Sequence, residues 1–229
     1  MQHGWIFKGR RGGCPFYIYL ENEKAGDIEL TPNHQTNKPS IIEDLTGQNM
    51  VCPWWLCFTF DNPLRKLLHN PEAILSPYVH PGDRVIDIGP GMGYFTIPLA
   101  RLVGDKGHVI AIDVQEKMLS ALRSRAKKNG VSERIEGYLA SQKSLGIHEK
   151  ADFILAFWMA HEVLDQSSFF REIRDLLKPN GSLLLAEPIV HVPRKYFLRT
   201  LQSAIEIGLV VKESPKIRLS HSALLGFGK

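Results

Sequence analysis

The pattern of hydrophobic and polar positions becomes regular from residue 84 onward. Short runs of branched aliphatic residues, typical of buried strands, alternate there with longer amphipathic stretches of helical period. The short runs predict seven strands, at residues 84–88, 108–113, 134–139, 151–158, 182–188, 209–214 and 222–227. The amphipathic stretches predict helices at residues 94–103, 115–129, 167–177 and 193–207. Such an alternation predicts a mainly parallel sheet covered by helices on both faces.

The last two predicted strands are joined by SPKIRLSH, which is too short for a helical crossover. They should therefore pair as an antiparallel hairpin at one end of the sheet. The pattern as a whole predicts an α/β three-layer sandwich with a mainly parallel seven-stranded sheet that ends in an antiparallel hairpin.

The residues before this pattern differ in composition. Residues 1–49 are rich in Gly, Asn, Pro and charge and have no sustained period, which indicates a poorly ordered or minor extension. An alternative is that the natural product begins at Met50. Residues 50–80 combine an aromatic, proline-punctuated part with two short helical patterns separated by Pro71, which suggests a helical lid or cap. Residues 81–229 then form the main domain.

Composition narrows the class of protein. Of the 229 residues, 44% are hydrophobic and 23% charged, which is the profile of a globular domain. No window approaches the ~18–20 apolar residues of a membrane helix, and the start lacks the apolar core of a signal peptide. We therefore expect a cytoplasmic protein without a membrane partner. The three cysteines have neither disulfide nor zinc-site spacing, so no metal is expected.

The stretch VIDIGPGMGYF, residues 85–95, places a glycine-rich turn directly after the first predicted strand. A dinucleotide fingerprint needs G-x-G-x-x-G, but the spacing here is G-x-G-x-G, with Tyr94 where the third glycine belongs. Asp87 precedes the turn, where its charge would repel a pyrophosphate and suit a positively charged ligand. Asp113 ends the second predicted strand, where it can accept hydrogen bonds from a ribose diol. These features argue against NAD.

The motifs DIGPGMG and AID, followed by LLKPNGSLLLAEP, resemble those of class I methyltransferases that depend on S-adenosylmethionine (SAM). The resemblance covers roughly residues 70–229. It implies that SAM is the cofactor and that the chain has the class I methyltransferase fold. It also implies a set of cofactor-binding positions, which are Asp87, Gly89, Gly91, Gly93, Tyr94, Asp113, Val114, Ser141, Gln142 and Phe157.

Those positions have different implied roles. The three glycines and the backbone N–H groups near Tyr94 would bind the methionine part, while Asp87 would face its amino group. Asp113 would bind the ribose and Val114 would line the adenine. The family often has an acidic residue after the third strand. Here Ser141, Gln142 or the backbone would have to supply that polar contact.

The acceptor side is expected after the fourth predicted strand, at the carboxyl edge of the sheet. His161 lies there and is the candidate catalytic residue, either as a general base or as a residue that positions the loop. Glu187, at the end of the fifth predicted strand, fits either a place near this site or a role in a turn or a salt bridge. The segment has neither a base-amine clamp nor a nucleophilic cysteine, which makes nucleic acid an unexpected substrate.

A small-molecule acceptor is the main prediction. Trp54, Trp55, Phe58 and Phe60 would form an apolar lid over it, or would simply be buried against the sheet. The alternatives are a methyltransferase for a protein or RNA site and a SAM-binding subunit without catalysis. The oligomeric state is left open between monomer and homodimer.

Overall fold

The structure is a computed structural model, and it describes residues 69–190 and 192–228. Residues 1–49 and most of the predicted 50–80 segment, including its four lid aromatics, lie outside the described residues. The first described element is a short helix, α1 (Pro71–Leu75), which begins at Pro71 behind Asn70. The Asn70 Oδ1 accepts a hydrogen bond from the backbone N–H of Ala73 at 3.3 Å, so Asn70 caps the helix. Residues 76–78, which continue the second of the two predicted helical patterns, form a turn.

Seven strands form one sheet in the order β3-β2-β1-β4-β5-β7-β6. Their bounds are β1 Arg84–Ile88, β2 His108–Asp113, β3 Ile135–Leu139, β4 Ala151–Phe157, β5 Leu177–Pro188, β6 Leu209–Glu213 and β7 Ser220–Phe227. Strands β1 to β5 pair in parallel, and β7 pairs antiparallel with both β5 and β6. The predicted sheet and its terminal hairpin are confirmed.

Four longer helices connect the strands, and they are α2 Thr96–Val103, α3 Glu116–Lys128, α4 Gln166–Leu176 and α5 Arg194–Glu206. The apolar faces of α1, α2 and α3 pack on one side of the sheet, and those of α4 and α5 pack on the other. Two single-turn 3-10 helices, Ser132–Arg134 and Ala160–Glu162, lie before β3 and after β4. The three-layer arrangement is therefore also confirmed.

Two predicted boundaries move for identifiable reasons. Helix α2 begins at Thr96 rather than at residue 94, because Gly93 has φ +87° and the chain is still in a turn. Strand β5 begins at Leu177 rather than at residue 182. The residues of the predicted turn KPNG are included in an irregular first half of this strand, where the pairing with β4 shifts register.

The order of the strands reverses between β1 and β4. The chain runs from β1 outward through β2 and β3, and then returns to place β4 and β5 on the other side of β1. In open α/β sheets, ligands bind beyond the carboxyl ends of the strands at such a point. The topology thus places a candidate site where β1, β2, β4 and β5 end.

Candidate active site

The glycine-rich turn follows β1 directly and crosses this carboxyl edge. All three of its glycines have positive φ, between 54° and 87°. At Gly93, a Cβ would lie 2.4 Å from Cδ1 of the buried Leu122, so glycine lets α2 and α3 approach each other. At Gly91, a Cβ would meet no atom within 4 Å. The Gly91 position therefore has space on its open side for a ligand to approach the backbone.

Asp87 lies within β1 and is 2% exposed. The Thr96 hydroxyl, in the first turn of α2, donates a 2.6 Å hydrogen bond to its Oδ2. Burial raises the pKa of Asp87 to about 7, and the neighbouring charge of Asp113 adds to this effect, although the Thr96 hydrogen bond opposes it. A buried carboxylate in this state would be stabilised by a positively charged ligand.

Asp113 is the last residue of β2 and is 8% exposed. Its carboxylate accepts hydrogen bonds from the backbone N–H groups of Gln115, at 2.9 Å, and of Gly91 and Val114. Burial nevertheless raises the pKa of Asp113 to about 6. The N–H of Gly91 thus ties the glycine turn to the end of β2, and Val114 follows as a partly exposed side chain.

Tyr94 differs from the other predicted positions in the direction of its side chain. The ring is buried, and its hydroxyl donates a 2.7 Å hydrogen bond to the carbonyl of His69. Contact with a cofactor at this position would therefore come from the backbone.

Ser141 and Gln142 begin close to Asp113, because the preceding Ala140 N–H donates to the Asp113 carbonyl at 2.9 Å. Both side chains are exposed. The Ser141 hydroxyl is engaged in its own turn, where it accepts hydrogen bonds from the N–H groups of Lys143 and Ser144. The structure therefore brings this segment to the site and leaves its contact with a cofactor as a prediction.

Phe157 is the last residue of β4 and is buried. Its ring centroid lies 4.2 Å from that of Phe95 and 5.4 Å from that of His69. The next residue, Trp158, has φ 60°, which is unusual for a bulky side chain and typical of strained functional sites. Its indole N–H donates a 2.9 Å hydrogen bond to the Ser220 hydroxyl. An aromatic wall thus closes the site beside β4.

The turn at Trp158 directs the chain back over the glycine loop. Gly89 is required there because a Cβ would lie 2.9 Å from Cβ of Met159. The 3-10 helix that follows contains His161, and the side-chain amide of Gln166 donates a 2.5 Å hydrogen bond to the Ala160 carbonyl within it. These contacts fix the predicted catalytic residue at the end of β4, next to the glycine-rich turn.

His161 pairs with Glu187, which lies near the end of β5. The distance from His161 Nδ1 to Glu187 Oε2 is 2.5 Å, and Glu187 is only 1% exposed. Burial lowers the pKa of His161, but the hydrogen bond and charge of Glu187, with a smaller effect of Glu162, outweigh it and raise the pKa above its usual value. The residue types alone gave Glu187 two possible roles. The strand order decides that it faces the histidine.

Sequence reasoning missed two contributors to the site. Thr96 had no motif to mark it. His69, which is buried and whose Nε2 lies 2.7 Å from the Arg218 carbonyl, looked like an ordinary residue before a helix. Only their tertiary neighbours reveal their positions.

Among the described residues, no group of three or more His, Cys, Asp or Glu side chains is placed to hold a metal ion. No helix in the same part of the chain is long and apolar enough to cross a membrane.

Comparison with known families decides what this arrangement belongs to. A family model described as a methyltransferase domain matches residues 79–212, which contain all the predicted site residues. The chain belongs to this methyltransferase family. The predicted membership of the class I SAM-dependent methyltransferases is confirmed, and SAM is the cofactor of that family.

A relative from Vibrio campbellii, the ubiquinone/menaquinone biosynthesis C-methyltransferase UbiE, is 34% identical over 173 residues. The match covers 75% of this chain and 61% of the relative, so this chain spans less than two thirds of the length of the relative.

Solved structures agree on the fold. A SAM-dependent methyltransferase from Aquifex aeolicus superposes with a TM-score of 0.69 at 22% identity, over 76% of this chain and 98% of the other. A protein from Methanococcus maripaludis, described as a putative S-adenosyl-L-methionine-dependent methyltransferase, gives a TM-score of 0.66 at 16% identity, over 77% and 92% of the two chains. These similarities support the class I methyltransferase fold.

Proposed function

We propose that this chain transfers a methyl group from SAM to a small-molecule acceptor. The observation that carries the proposal is the pair of buried carboxylates, Asp87 and Asp113, at the ends of adjacent strands beside an open glycine turn. Membership of the methyltransferase family supports the same function.

The residues at this edge fit the chemical groups of SAM. Two buried acids with raised pKa favour a ligand that brings positive charge, and the ammonium group of SAM would serve Asp87. Asp113 would accept hydrogen bonds from the ribose hydroxyls. The open side of Gly91 gives the backbone access to the methionine part. When bound, SAM supplies an electrophilic methyl group on a sulfonium.

On the acceptor side, the chain itself must exclude water and remove a proton. Phe157 and Trp158 provide apolar walls at the end of β4. We assign His161 the role of general base, because its raised pKa suits proton removal near neutral pH. An acceptor with an ionisable hydroxyl group would meet these requirements.

The relatives point to the same class of acceptor. The Vibrio protein is named as a C-methyltransferase of ubiquinone and menaquinone biosynthesis, which supports a small aromatic acceptor here. Loss of the proton from a hydroxyl promotes methylation at the neighbouring carbon, and the proton of the C–H bond that the methyl group replaces must then leave, so this reaction is also compatible with a base at His161. The predicted cytoplasmic location and the predicted lid formed by residues 50–80 belong to this proposal.

Two measurements test the proposal. Titration calorimetry with SAM should show binding at micromolar concentration, and absence of binding at ~1 mM SAM would overturn it. Labelled SAM should then transfer its methyl group to a metabolite extract in preference to protein and RNA fractions. Label that enters only protein or RNA would identify a macromolecular substrate. SAM binding without transfer to any fraction would indicate a non-catalytic subunit.

A further inference from the structure

A second buried pair of charged groups lies at the carboxyl edge, on the acceptor side of the proposed site. Glu187 is 1% exposed, and its Oε1 has no hydrogen-bond partner within the described residues. Its Oε2 lies 2.5 Å from Nδ1 of His161, whose side chain is 22% exposed. Glu187 is therefore buried inside the protein, and His161 is partly exposed on the acceptor side of the proposed site.

Burial of a carboxyl group with one unsatisfied oxygen destabilises the fold, because the oxygen loses its hydration without gaining a hydrogen-bond partner. A purely structural role would be filled equally well by an apolar side chain on β5. The sequence instead places this acid behind the one histidine of the loop. The arrangement is that of a carboxylate that fixes the orientation and tautomer of an imidazole.

We propose that Glu187 is a positioning residue that holds the Nδ1–H of His161, so that Nε2 acts on the methyl acceptor. The inference rests on the proposed function and names a residue that the motifs of the chain do not assign. Three contacts make the geometry specific. Glu187 bonds Nδ1, Gln166 holds the 3-10 helix at Ala160, and Trp158 turns the chain toward β5.

The proton balance follows from this orientation. The acceptor O–H bond breaks, its electron pair stays on the oxygen, and a new N–H bond forms at Nε2 of His161. The Nδ1–H bond remains intact, and its hydrogen stays hydrogen-bonded to Glu187. The negative charge of Glu187 stabilises the imidazolium that forms. Because His161 is partly exposed, it can then return the proton to water.

Other charged groups near the pair act more weakly. Glu162, on the same 3-10 helix, adds a small negative potential at His161. His221 lies opposite Glu187 in the β5–β7 register, and burial and the charge of Arg194 lower the pKa of His221. The lowered pKa reduces the positive charge of His221 near neutral pH, and Glu187 remains the main charge facing His161.

Nuclear magnetic resonance of the imidazole tests the proposal without any need for activity. The chain has nine histidines, and the His161 signal is assigned by its loss in His161→Gln. In Glu187→Gln, we expect the titration midpoint of His161 to fall, because burial still lowers its pKa while the carboxylate no longer raises it. Glu162→Gln, which removes a charge one residue away, should lower the midpoint less. An unchanged midpoint in Glu187→Gln would overturn the proposal.

A second measurement uses the wild-type protein and is independent of whether the variant folds. Above its titration midpoint, the ¹⁵N shifts of His161 should report the Nδ1–H tautomer. The Nε2–H tautomer would contradict the proposal.

The pH profile of methyl transfer then separates positioning from simple structural support. In Glu187→Gln, the acid limb of the rate profile should move to lower pH by the same amount as the titration midpoint, while SAM binding is retained. A midpoint that moves without the rate profile would reject the role in catalysis. Failure of the wild-type protein to bind SAM would instead remove the proposed function, and the tautomer would still decide whether Glu187 holds Nδ1–H.

Discussion

The two halves of the carboxyl edge differ in how their buried charges are balanced. The ends of β1 and β2 carry two acids, Asp87 and Asp113, whose pKa burial raises to about 7 and about 6. The ends of β4 and β5 carry an acid and a base, Glu187 and His161, whose Oε2 and Nδ1 lie 2.5 Å apart. A ligand that brings positive charge would balance the first half, whereas the second half pairs an acid with a base within the protein.

This difference matches the two tasks of the proposed reaction. A cofactor that brings positive charge and hydroxyl groups binds best where buried carboxylates have no positively charged side chain beside them. A proton acceptor works best where its orientation is set before the acceptor arrives. The four predictions below test the comparison, from the largest expected effect to the smallest.

Removal of the ribose-facing acid should weaken the cofactor half most. We expect Asp113→Ala to reduce SAM affinity by at least about 100-fold, because hydrogen bonds to a charged group contribute about 1.5–3 kcal/mol each. Titration calorimetry measures the effect. Asp105→Ala is the matched control, since Asp105 lies before β2 at the opposite edge and its side chain is 87% exposed. Equal affinity in Asp113→Ala and the wild type would remove Asp113 from the site.

The acids should also make the ligand-free protein less stable as the pH rises. The pKa of Asp87 is raised in the folded state, so its stabilising contribution is complete below pH 4 and is lost as the pH rises toward about 7. We expect the free energy of unfolding to fall between pH 5 and pH 8 by on the order of 2 kcal/mol. The raised pKa of His161 acts in the same direction.

Asp87→Asn tests the source of this dependence, because asparagine resembles the protonated acid and cannot ionise. Urea unfolding at the two pH values should show a smaller difference in this variant than in the wild type. A pH dependence of equal size in both proteins would show that Asp87 is not its cause.

Two glycines of the same turn should respond differently to alanine. Gly93→Ala should lower the free energy of unfolding by about 1–2 kcal/mol, because it combines a φ of +87° with a Cβ 2.4 Å from Leu122. Gly91→Ala meets no protein atom within 4 Å, so it should affect stability less and SAM affinity more. Thermal unfolding and calorimetry on both variants provide the comparison. The reverse ranking in stability would contradict the packing described here.

The smallest effect concerns the turn that directs β4 toward β5. Ser220→Ala removes the acceptor of the 2.9 Å hydrogen bond from the Trp158 indole, so we expect a loss of about 1 kcal/mol in the free energy of unfolding. SAM affinity should not change, since this contact belongs to the second half. Ser203→Ala, in the middle of α5, is a control for loss of an exposed hydroxyl. A large loss of SAM affinity in Ser220→Ala would show that the two halves are coupled.

Most of the fold could be predicted from local patterns. Strands β1, β2 and β4 are short aliphatic runs, and helices α3 and α4 have a period that fits one buried face. The boundaries that moved did so where local signals conflict with tertiary pairing. KPNG is typical of a turn, yet it lies within β5, between Leu177, which pairs with Ala151, and Ser182, which pairs with Phe153.

The site was predicted less completely than the fold. The glycines, Asp87 and Asp113 are adjacent to strand ends in the sequence, so their meeting at one edge follows from parallel pairing alone. The direction of a side chain does not follow in this way. The Tyr94 hydroxyl is hydrogen-bonded to the His69 carbonyl, and the Ser141 hydroxyl is hydrogen-bonded within its own turn. In each case a backbone group lies within hydrogen-bonding distance of the side chain.

The sequence by itself determined the order of strands and helices, the glycine turn and the acids that end β1 and β2, since these depend on local period and on neighbouring residues. Only the tertiary structure decided that His161 meets Glu187, 26 residues further along the chain. That contact requires β4 and β5 to lie side by side and the chain to turn at Trp158 through a left-handed conformation. It depends on how the whole sheet packs, and no local pattern encodes it.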